Sequence, residues 1–378
     1  MTTTDRQILR QPLTSDVVEL AYSARQDALF VSAPDWEDET RSRVLRLDPE
    51  TLAVTATIPL PSKGFGVVLD DEAARLYLTQ GFDGAIAVVD VERNALETRI
   101  PIVEKTNMEA LYRALNPTPE QLGFALDMLK RFGIVNDYPY RLRELAVDSG
   151  KGRLFAPGLG LGLESVLFVI DTRQNQLEKT IPGFGYNAVG IALDEVRHRV
   201  FVSNMQGQLI VVDTQTLEIL HTLEIEADQL LNLVYDAATN RLFGVDQGID
   251  RDRWRDMHLG KSYERRSAGH RVFVLDADTG KTLAEMPTDE VPIGLRYDGE
   301  RQRLYVTNRG GIRVDAGAGT LTIYDTAGYT LLETISLPPH PNSMALGAGG
   351  EALFVTVKND GDSKKAGKQE SVARIDLR

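Results

Sequence analysis

The feature that most constrains the fold of this chain is a repeat of about 42 residues. Each copy has an apolar strand, a short turn, a second apolar strand, a loop, an alternating strand that ends in Asp, and a fourth strand. The aspartates that end the third strands are Asp48, Asp90, Asp171, Asp213, Asp276, Asp325 and Asp376. A unit of this length with four short strands has the size of one propeller blade. The sequence therefore predicts an all-β, seven-bladed β-propeller.

One interval between these aspartates is nearly two repeats long, but its extra residues do not alternate as strand residues do. Thr106 and Glu109 form a capping-box pattern, and apolar residues then recur at helical spacing. Thr118 and Gln121 repeat the pattern ahead of a second apolar stripe. The insertion at about 104–141 is therefore predicted to be a helical hairpin, not an eighth blade.

The last repeat is short by one strand, since only three strands fit between residues 341 and 378. Residues 7–13, ahead of the first repeat, alternate like an outer strand. We expect this N-terminal strand to complete the last blade, so that the ends of the chain close the ring and leave no inner edge unpaired. Residues 1–378 are then a single propeller domain.

Composition excludes several classes of protein. The chain has 378 residues, 42% of them apolar, and no cysteine, which excludes a disordered chain, a disulfide scaffold, thiol catalysis and thiolate metal sites. A net charge of −13 argues against a surface wholly committed to nucleic acid or anionic lipid. No apolar run approaches the roughly 20 residues that span a bilayer, so we expect a soluble protein without membrane insertion. The given start lacks a signal-peptide pattern, and the compartment stays open.

Several short strings carry a resemblance to a known family. Residues 305–308 read YVTN, residues 201–204 are a looser copy, and longer similar stretches are 19–23, 47–52, 143–145 and 340–343. These strings resemble the YVTN-type propeller repeat and, more closely, the YncE-like family. The resemblance implies a seven-bladed, usually periplasmic binding propeller without settled catalysis, to which single-stranded DNA binding has been attached. The chain departs from it at 104–141 and 247–271, where it is longer than we expect of the family.

The long loops of the repeat are predicted to lie on one face of the ring. In a four-stranded blade, the loops between strands two and three and those between blades emerge on the same face. The long loops in these two classes are 33–43, 104–141, 157–165, 247–271, 309–319 and 358–370. Binding residues concentrate on loops of a rigid scaffold, so we place function on this long-loop face. The alternative is that these insertions are tolerated surface decoration.

A column of polar residues and glycines precedes the core residues of the seven inner strands. Its members are Glu19, Gly66, Glu144, Gly190, Asn232, Gly294 and Ser343. Near the axis of a propeller this column would line the mouth of the central channel, where Glu19 and Glu144 can attract a cation or an amine. The alternative is a water-filled channel whose polar lining only satisfies that water.

A second candidate site is basic and aromatic. Loop 247–271 is net basic, and the loops of blades six and seven add further positive charge. The arginines and lysines of these loops are Arg251, Arg253, Arg255, Lys261, Arg265, Arg266, Arg271, Arg309, Arg313, Lys358, Lys364, Lys365 and Lys368. Trp36 and Trp254 lie in long loops, and Phe65 precedes an inner strand. Cationic side chains beside exposed aromatic rings suit single-stranded nucleic acid, because they contact phosphates while the rings stack on bases. The alternative is a solvated loop whose arginines pair with its own aspartates.

Catalytic motifs are not recognisable in the chain. The five histidines show no metal-ligand spacing, and we find no nucleophile elbow, P-loop or dinucleotide fingerprint. No metal and no cofactor is predicted. An enzyme remains a third alternative, with residues drawn from Glu19, Glu144, Arg143 and His340.

The leading hypothesis is a non-enzymatic, periplasmic binding propeller whose long-loop face binds a protein, a peptide or a small polar ligand. A cytoplasmic location stays open, and single-stranded DNA is the second hypothesis for the partner. The residues expected to contact the ligand are Glu19, Trp36, Phe65, Arg143, Glu144, Asn232, Trp254, Arg255, Arg309, His340 and Asn342.

Overall fold

The structure, a computed structural model, describes residues 6–249, 252–312 and 317–378. In this part of the chain, seven antiparallel sheets form a seven-bladed β-propeller, as predicted. The inner strand of each blade packs against the inner strands of both neighbours, and that of the last blade against that of the first. The ring is therefore closed around a central channel.

Each blade is a meander of four strands from the channel outward. Blade 1 consists of Leu20–Ser23, Ala28–Ala33, Arg43–Leu47 and Val54–Pro59, and blade 2 of Val67–Asp70, Arg75–Gln80, Ala85–Asp90 and Ala95–Pro101. Blade 3 consists of Ala146–Asp148, Arg153–Gly160, Val166–Asp171 and Gln176–Pro182, and blade 4 of Gly190–Asp194, Arg199–Ser203, Gln208–Asp213 and Ile219–Glu224. Blade 5 consists of Leu230–Asp236, Arg241–Asp246, Arg271–Asp276 and Thr282–Pro287, and blade 6 of Pro292–Asp298, Arg303–Asn308, Gly319–Asp325 and Thr330–Leu337. Blade 7 consists of Pro341–Leu346, Ala352–Val357, Glu370–Asp376 and Ile8–Thr14.

The N-terminal strand completes the last blade, as predicted. Ile8–Thr14 pairs antiparallel with Glu370–Asp376, with Ile8 opposite Ile375. The N-terminal segment is also tied to blade 6, because the Arg6 guanidinium lies 2.8 Å from the Glu333 carboxylate. Both ends of the chain thus meet in one sheet and hold the ring closed.

Hydroxyl side chains of the repeat connect neighbouring blades. Thr307, the threonine of the YVTN string, donates to the main-chain oxygen of Asn342 in blade 7 at 2.6 Å and accepts from Gly294 N at 3.0 Å. Thr79 of blade 2 donates in the same way to the main-chain oxygen of Arg143, at 2.8 Å, ahead of the inner strand of blade 3. A hydroxyl at this position therefore satisfies backbone groups that close packing around the axis would otherwise leave unpaired.

The aspartates of the repeat stabilise tight turns on the opposite face. Asp48 Oδ1 accepts from Thr51 N at 2.7 Å, and Asp276 Oδ1 accepts from Thr279 N at 2.9 Å. Where a strand ends, the following main-chain N–H groups lose the acceptors that a sheet would provide. The Asp carboxylate accepts hydrogen bonds from these N–H groups instead. The residue that reveals the repeat is thus a structural one.

The insertion between blades 2 and 3 is a helical hairpin, as predicted. Its helices are α1 (Met108–Ala114) and α2 (Pro119–Phe132), and the short strands Thr106–Asn107 and Asn136–Asp137 pair at its base. Buried apolar side chains of both helices pack with Leu163 in the blade 3 loop. The hairpin is therefore docked on the ring.

The helix starts are only partly as predicted. Thr118 and Gln121 form the capping box of α2. The prediction that Thr106 caps α1 is wrong, because Thr106 is drawn into the strand pair at the base of the hairpin. Asn107 takes the capping position instead, and its side chain accepts from Ala110 N at 2.9 Å.

Further helices lie in the long loops. Helix α3 (Asp252–Leu259) lies within 247–271, where the sequence predicted a loop, and α4 (Gly361–Lys365) lies in the last long loop. Glu39–Arg41 and Ala348–Gly350 are short 3-10 helices. Among the described residues, no helix has the length and apolar character needed to cross a bilayer.

The loop predicted at 157–165 is shorter than expected. The second strand of blade 3 continues to Gly160, and Tyr140–Leu142 pairs with its last residues. The extra strand comes from the end of the hairpin insertion, so the pairing is not local in sequence. Only residues 161–165 remain a loop.

Contacts between insertions of different blades show that these loops share one face. Trp36 in loop 33–43 packs against Phe82 in blade 2 with ring centroids 5.6 Å apart. Phe124 of the hairpin packs against Trp254 of α3 with centroids 4.9 Å apart. Segments far apart in sequence therefore form common surfaces above the ring.

Candidate functional site

A cavity of about 730 Å³ occupies the centre of the ring, and we call it the channel cavity. Its wall includes residues in or just ahead of the inner strands of all seven blades, and its mouth reaches residues of the long-loop face such as Trp36 and Arg309. Glu19, Glu144, Asn232 and other members of the predicted polar column line it. Most of the predicted site residues thus meet in one place, whereas Trp254, Arg255 and His340 do not line this cavity.

Two glycines of the polar column have a packing role. A Cβ on Gly66 would stand 1.6 Å from the main-chain oxygen of Arg143, and a Cβ on Gly294 would stand 2.2 Å from that of Asn342. Distances this short leave room only for glycine. At these two positions, glycine is required because neighbouring blades approach closely, and not because of a contact with a ligand in the channel.

Glu19 and Glu144 form a carboxyl pair in the channel wall. Glu19 Oε2 accepts from Val67 N at 2.9 Å, and the two carboxyl groups hydrogen-bond to each other. Burial, together with the charge of Glu144, raises the pKa of Glu19 well above its ordinary value. Burial also raises the pKa of Glu144, although the charge of Arg143 acts in the opposite direction. The raised pKa values favour the protonated form, in which the pair can offer both a donor and an acceptor to a ligand.

The raised pKa of Glu19 predicts a pH-dependent stability. Between the ordinary glutamate pKa and the raised value, the folded protein keeps a proton that the unfolded chain has released, so the free energy of unfolding falls as pH rises. Glu19→Gln removes this contribution. The advantage in melting temperature of the wild type over this variant should shrink steadily when both are measured from about pH 4 to pH 8. The exposed Glu300→Gln variant is the control and should follow the wild type; parallel curves for wild type and Glu19→Gln would contradict the prediction.

Three aromatic rings form a cluster at one side of the mouth. Trp36, Phe65 and Phe82 have ring centroids 5.3 to 5.6 Å apart, and Trp36 and Phe82 are 44% and 45% exposed. Lys63 lies 5.9 Å from the Trp36 ring, and Arg141 lies 5.0 Å from the Phe82 ring. The cluster gives the cavity an apolar wall with cations at its edges.

Another part of the mouth carries ordered polar groups. Arg309 Nη2 donates to Asn342 Oδ1 at 2.5 Å, and Asn342 Nδ2 donates to Val18 O at 3.0 Å. Lys358 forms an ion pair with Glu370 at 3.2 Å. These contacts hold two cationic side chains in fixed positions at the cavity wall.

Sequence reasoning missed several members of the site, among them Phe82, Arg141 and Arg296. Phe82 follows the second strand of blade 2, and its position after a glycine in a short loop was the only indication. Arg296 lies in the inner strand of blade 6 and lines the channel cavity, where burial lowers its pKa. It still adds a guanidinium to the wall.

Asn232 lines the channel cavity but is also committed to packing. Its side-chain nitrogen donates to Ile293 O at 2.6 Å, which ties blade 5 to blade 6. Arg143, by contrast, has an exposed side chain in the cavity wall. Of these two predicted ligand contacts, Arg143 is the one whose charge faces open space.

Two predicted ligand contacts are corrected by the structure. The Arg255 side chain is 0% exposed, because its guanidinium donates to Met205 O at 3.2 Å and lies 3.9 Å from the centroid of the Tyr263 ring. His340 is 1% exposed beneath the mouth, where its main-chain nitrogen donates to Arg309 O at 3.2 Å. Neither side chain is placed to reach a ligand.

The basic loop is largely paired within the protein, which favours the self-paired alternative. Arg266 lies 2.5 Å from Glu224, and Arg271 lies 2.5 Å from Glu285. The buried carboxylate of Asp228 accepts from Tyr263 Oη at 2.8 Å and from the main-chain nitrogen of Arg266 at 3.1 Å. Arg251 and Arg313, which belong to the same prediction, lie outside the described residues.

Trp254 does not line the channel cavity but a second one. That cavity, of about 660 Å³, lies between the helical hairpin, α3 and the loops of blades 3 and 4. We call it the hairpin cavity. Among the described residues, Arg141 and Leu159 line both cavities, so the two are neighbours with different walls.

Comparisons with known proteins agree with the predicted resemblance. No protein-family model matches the chain. Proteins named uncharacterized protein YncE are 26% identical to it, over 376 residues in Salmonella typhi and over 377 residues in Escherichia coli strain K12. Each alignment covers 98% of this chain and 91% of the relative. The resemblance to YncE is thus confirmed over nearly the whole chain. The names of these relatives state neither a ligand nor an activity.

Proposed function

We propose that this protein is a non-enzymatic binding propeller that holds a small polar ligand, such as an amino acid or a short peptide, in the channel cavity. The observation that carries this proposal is the meeting of an aromatic cluster, fixed cations and a carboxyl pair in one cavity. A concave site with an apolar wall and a few convergent polar groups is the usual form of a ligand site.

The size and charges of the cavity favour a small ligand with groups of both signs. A volume of about 730 Å³ lies in the range of small-molecule sites. Arg143 and Arg309 supply cationic groups for a carboxylate, and Glu19 with Glu144 supplies acceptors for an amine. The aromatic cluster offers a surface for an apolar side chain.

The position of His340 supports binding over catalysis. The enzyme hypothesis draws on Glu19, Glu144, Arg143 and His340, but His340 is buried away from the cavity. Arg309 and Lys358 are held by protein acceptors, an arrangement that suits recognition of a fixed charge.

Single-stranded nucleic acid is the second candidate. Trp36 and Phe82 are exposed, as stacking of bases would require. The cations beside their rings are already paired, Lys63 with Glu39 at 2.8 Å and Arg141 with Asp137 at 2.6 Å. The internal pairing of the basic loop removes much of the remaining support. We therefore rank it below a small ligand.

Trp36 provides the test, because the chain has two tryptophans and Trp254→Phe leaves Trp36 as the sole indole. This variant is titrated with the free amino acids, with a set of tripeptides of differing charge and with a thymidine oligonucleotide. We expect a saturable change of Trp36 fluorescence with at least one amino acid or peptide. Arg309→Met and Phe82→Ala should weaken that binding at least about tenfold, since each removes a central contact.

The control variant is Val196→Ala, which shortens an exposed side chain in a turn on the opposite face and should leave affinity unchanged. Equal losses for the control and for Phe82→Ala would contradict the proposed site. Saturable binding of the oligonucleotide alone, with a log-log salt slope steeper than about −2, would favour nucleic acid, because each neutralised phosphate contributes about −0.7.

A periplasmic location remains part of the proposal. Its support is the resemblance to the YncE-like family, whose usual compartment it is. Cell fractionation of the source organism with an antibody to this protein tests it, and recovery with cytosolic markers would contradict it.

A further inference from the structure

We propose that the hairpin cavity is a second ligand site, independent of the channel cavity, and that it takes a small uncharged aromatic molecule. Its volume of about 660 Å³ is again that of a small-molecule site. The side chains on which the proposal rests are Phe124, Met128, Phe132, Tyr186, Trp254 and His258.

The ring geometry of the wall favours an aromatic ligand. Phe124 and Trp254 meet edge to face, with centroids 4.9 Å apart and an interplanar angle of 70°. Tyr186 and His258 lie 4.9 Å apart with planes tilted by 40°. Further ring edges and faces remain available along the wall, because Trp254 is 46% exposed and lies at the cavity surface. An aromatic ligand continues such a series of offset and edge-to-face contacts.

Methionine makes the same wall adaptable. Met128 of α2 and Met257 of α3 line the cavity. A thioether side chain packs against ring edges and changes rotamer at little cost. The wall can therefore adapt its shape to planar molecules of different outlines.

The charges of the wall favour an uncharged ligand. Among the described lining residues, the ionisable groups are Arg141, His258 and two tyrosines. Arg141 is bound by the Asp137 carboxylate, with Nη2 to Oδ2 at 2.6 Å. Burial lowers the pKa of His258, which disfavours a charged imidazolium in this wall. A charged ligand would lose its hydration here without finding a counter-charge.

Two polar side chains of the wall hold the cavity together. Gln121 Nε2 of the hairpin donates to His258 O of α3 at 3.3 Å, and Tyr112 Oη donates to Leu161 O at 2.6 Å. These bonds fix the hairpin to α3 and to blade 3. Leu115 and Phe132 lie exposed at the rim, where they leave an apolar entrance.

The experiment uses Trp36→Phe protein, in which Trp254 is the sole tryptophan, and two dyes that share their aromatic rings. N-phenylnaphthylamine is uncharged, and anilinonaphthalene sulfonate carries an additional sulfonate. We expect N-phenylnaphthylamine to bind with a stoichiometry of one, to quench Trp254 by energy transfer, and to bind at least about tenfold more tightly than the sulfonate, because the sulfonate has no partner in the wall.

Ala125→Phe places a phenyl ring from α2 into the cavity and should weaken dye binding at least about tenfold. Ala114→Phe, the same change at an exposed position of α1, is the matched control and should not. Phe132→Ser changes only the exposed rim, so it tests the site even if Ala125→Phe does not fold, and it should weaken binding several-fold. Arg309→Met, which changes the wall of the channel cavity alone, should have no effect, and this separates the two sites.

Several outcomes would overturn the proposal. They are equal affinity for the two dyes, unquenched Trp254, or dye binding that neither Ala125→Phe nor Phe132→Ser weakens. Cosedimentation of the protein with phosphatidylcholine vesicles, or a dimer that Phe132→Ser dissociates, would show that the apolar rim serves a membrane or a second copy of the chain instead.

Discussion

Deletion of residues 1–13 is expected to destabilise the entire ring. The deletion removes almost all of the strand Ile8–Thr14 and leaves the backbone groups of Glu370–Asp376 without their outer partner. At about 1 kcal/mol for each of several backbone hydrogen bonds, and with the Arg6–Glu333 pair also lost, the free energy of unfolding should fall by more than about 3 kcal/mol. Thermal denaturation followed by circular dichroism measures the effect.

Strand complementation provides the control for this deletion. A synthetic peptide with the sequence of residues 6–16, added to the truncated protein, should pair with Glu370–Asp376 and restore part of the lost melting temperature. A peptide of the same composition in scrambled order should not. Because an open strand edge invites pairing between molecules, the truncated protein should also aggregate more readily. An unchanged melting temperature would contradict the closure of the ring by the N-terminal strand.

The ring could be predicted because each blade carries its own local evidence. The aspartate that ends a third strand, such as Asp48 or Asp276, accepts turn amides a few residues away, so it recurs in every blade for a local reason. The strand at residues 7–13 was predicted from a count, because the last repeat lacked one strand. The hairpin was predicted from its apolar spacing, but the cap of α1 was missed because pairing with Asp137 draws Thr106 into a strand.

The candidate site could be predicted only in part, because its residues meet through tertiary contacts. Glu19 and Glu144 stand just ahead of inner strands, which places them in the channel wall, and their position in the repeat was sufficient to indicate it. The aromatic cluster was incomplete because Phe82 belongs to a different blade from Trp36. Nothing local to either residue indicates that their rings are in contact.

The charged composition of loop 247–271 was misleading for a related reason. An alternation of Arg and Asp suggests an exposed loop, since isolated charges are rarely buried. Here Tyr263 and Met205 supply a ring face and a carbonyl for Arg255, and the buried Asp228 anchors the following segment. Met205 and Asp228, which lie outside this loop, thus help to convert a segment of surface composition into a packed one.

The burial of Arg255 leads to the second large effect. Arg255→Ala is expected to lower the free energy of unfolding by about 2 to 4 kcal/mol, because it leaves a void beneath α3 and an unpaired carbonyl at Met205. The loss should concentrate in the segment 252–271, so trypsin should cleave after Arg253 and Arg265 faster than in the wild type. Thermal denaturation and timed proteolysis measure the two parts of this effect.

Arg253→Ala is the matched control, because Arg253 is exposed on the same helix and its removal should stay within about 0.5 kcal/mol. Binding in the channel cavity should be unchanged in both variants, since α3 lies outside its wall. If Arg255 instead contacted phosphates, as the sequence pattern allowed, Arg255→Ala would weaken oligonucleotide binding, reduce its salt slope and leave stability intact. A packing role and a phosphate-binding role of Arg255 therefore predict opposite results for stability and for binding in the same pair of variants. A stable Arg255→Ala protein that has lost oligonucleotide affinity would show that the basic loop is the binding site.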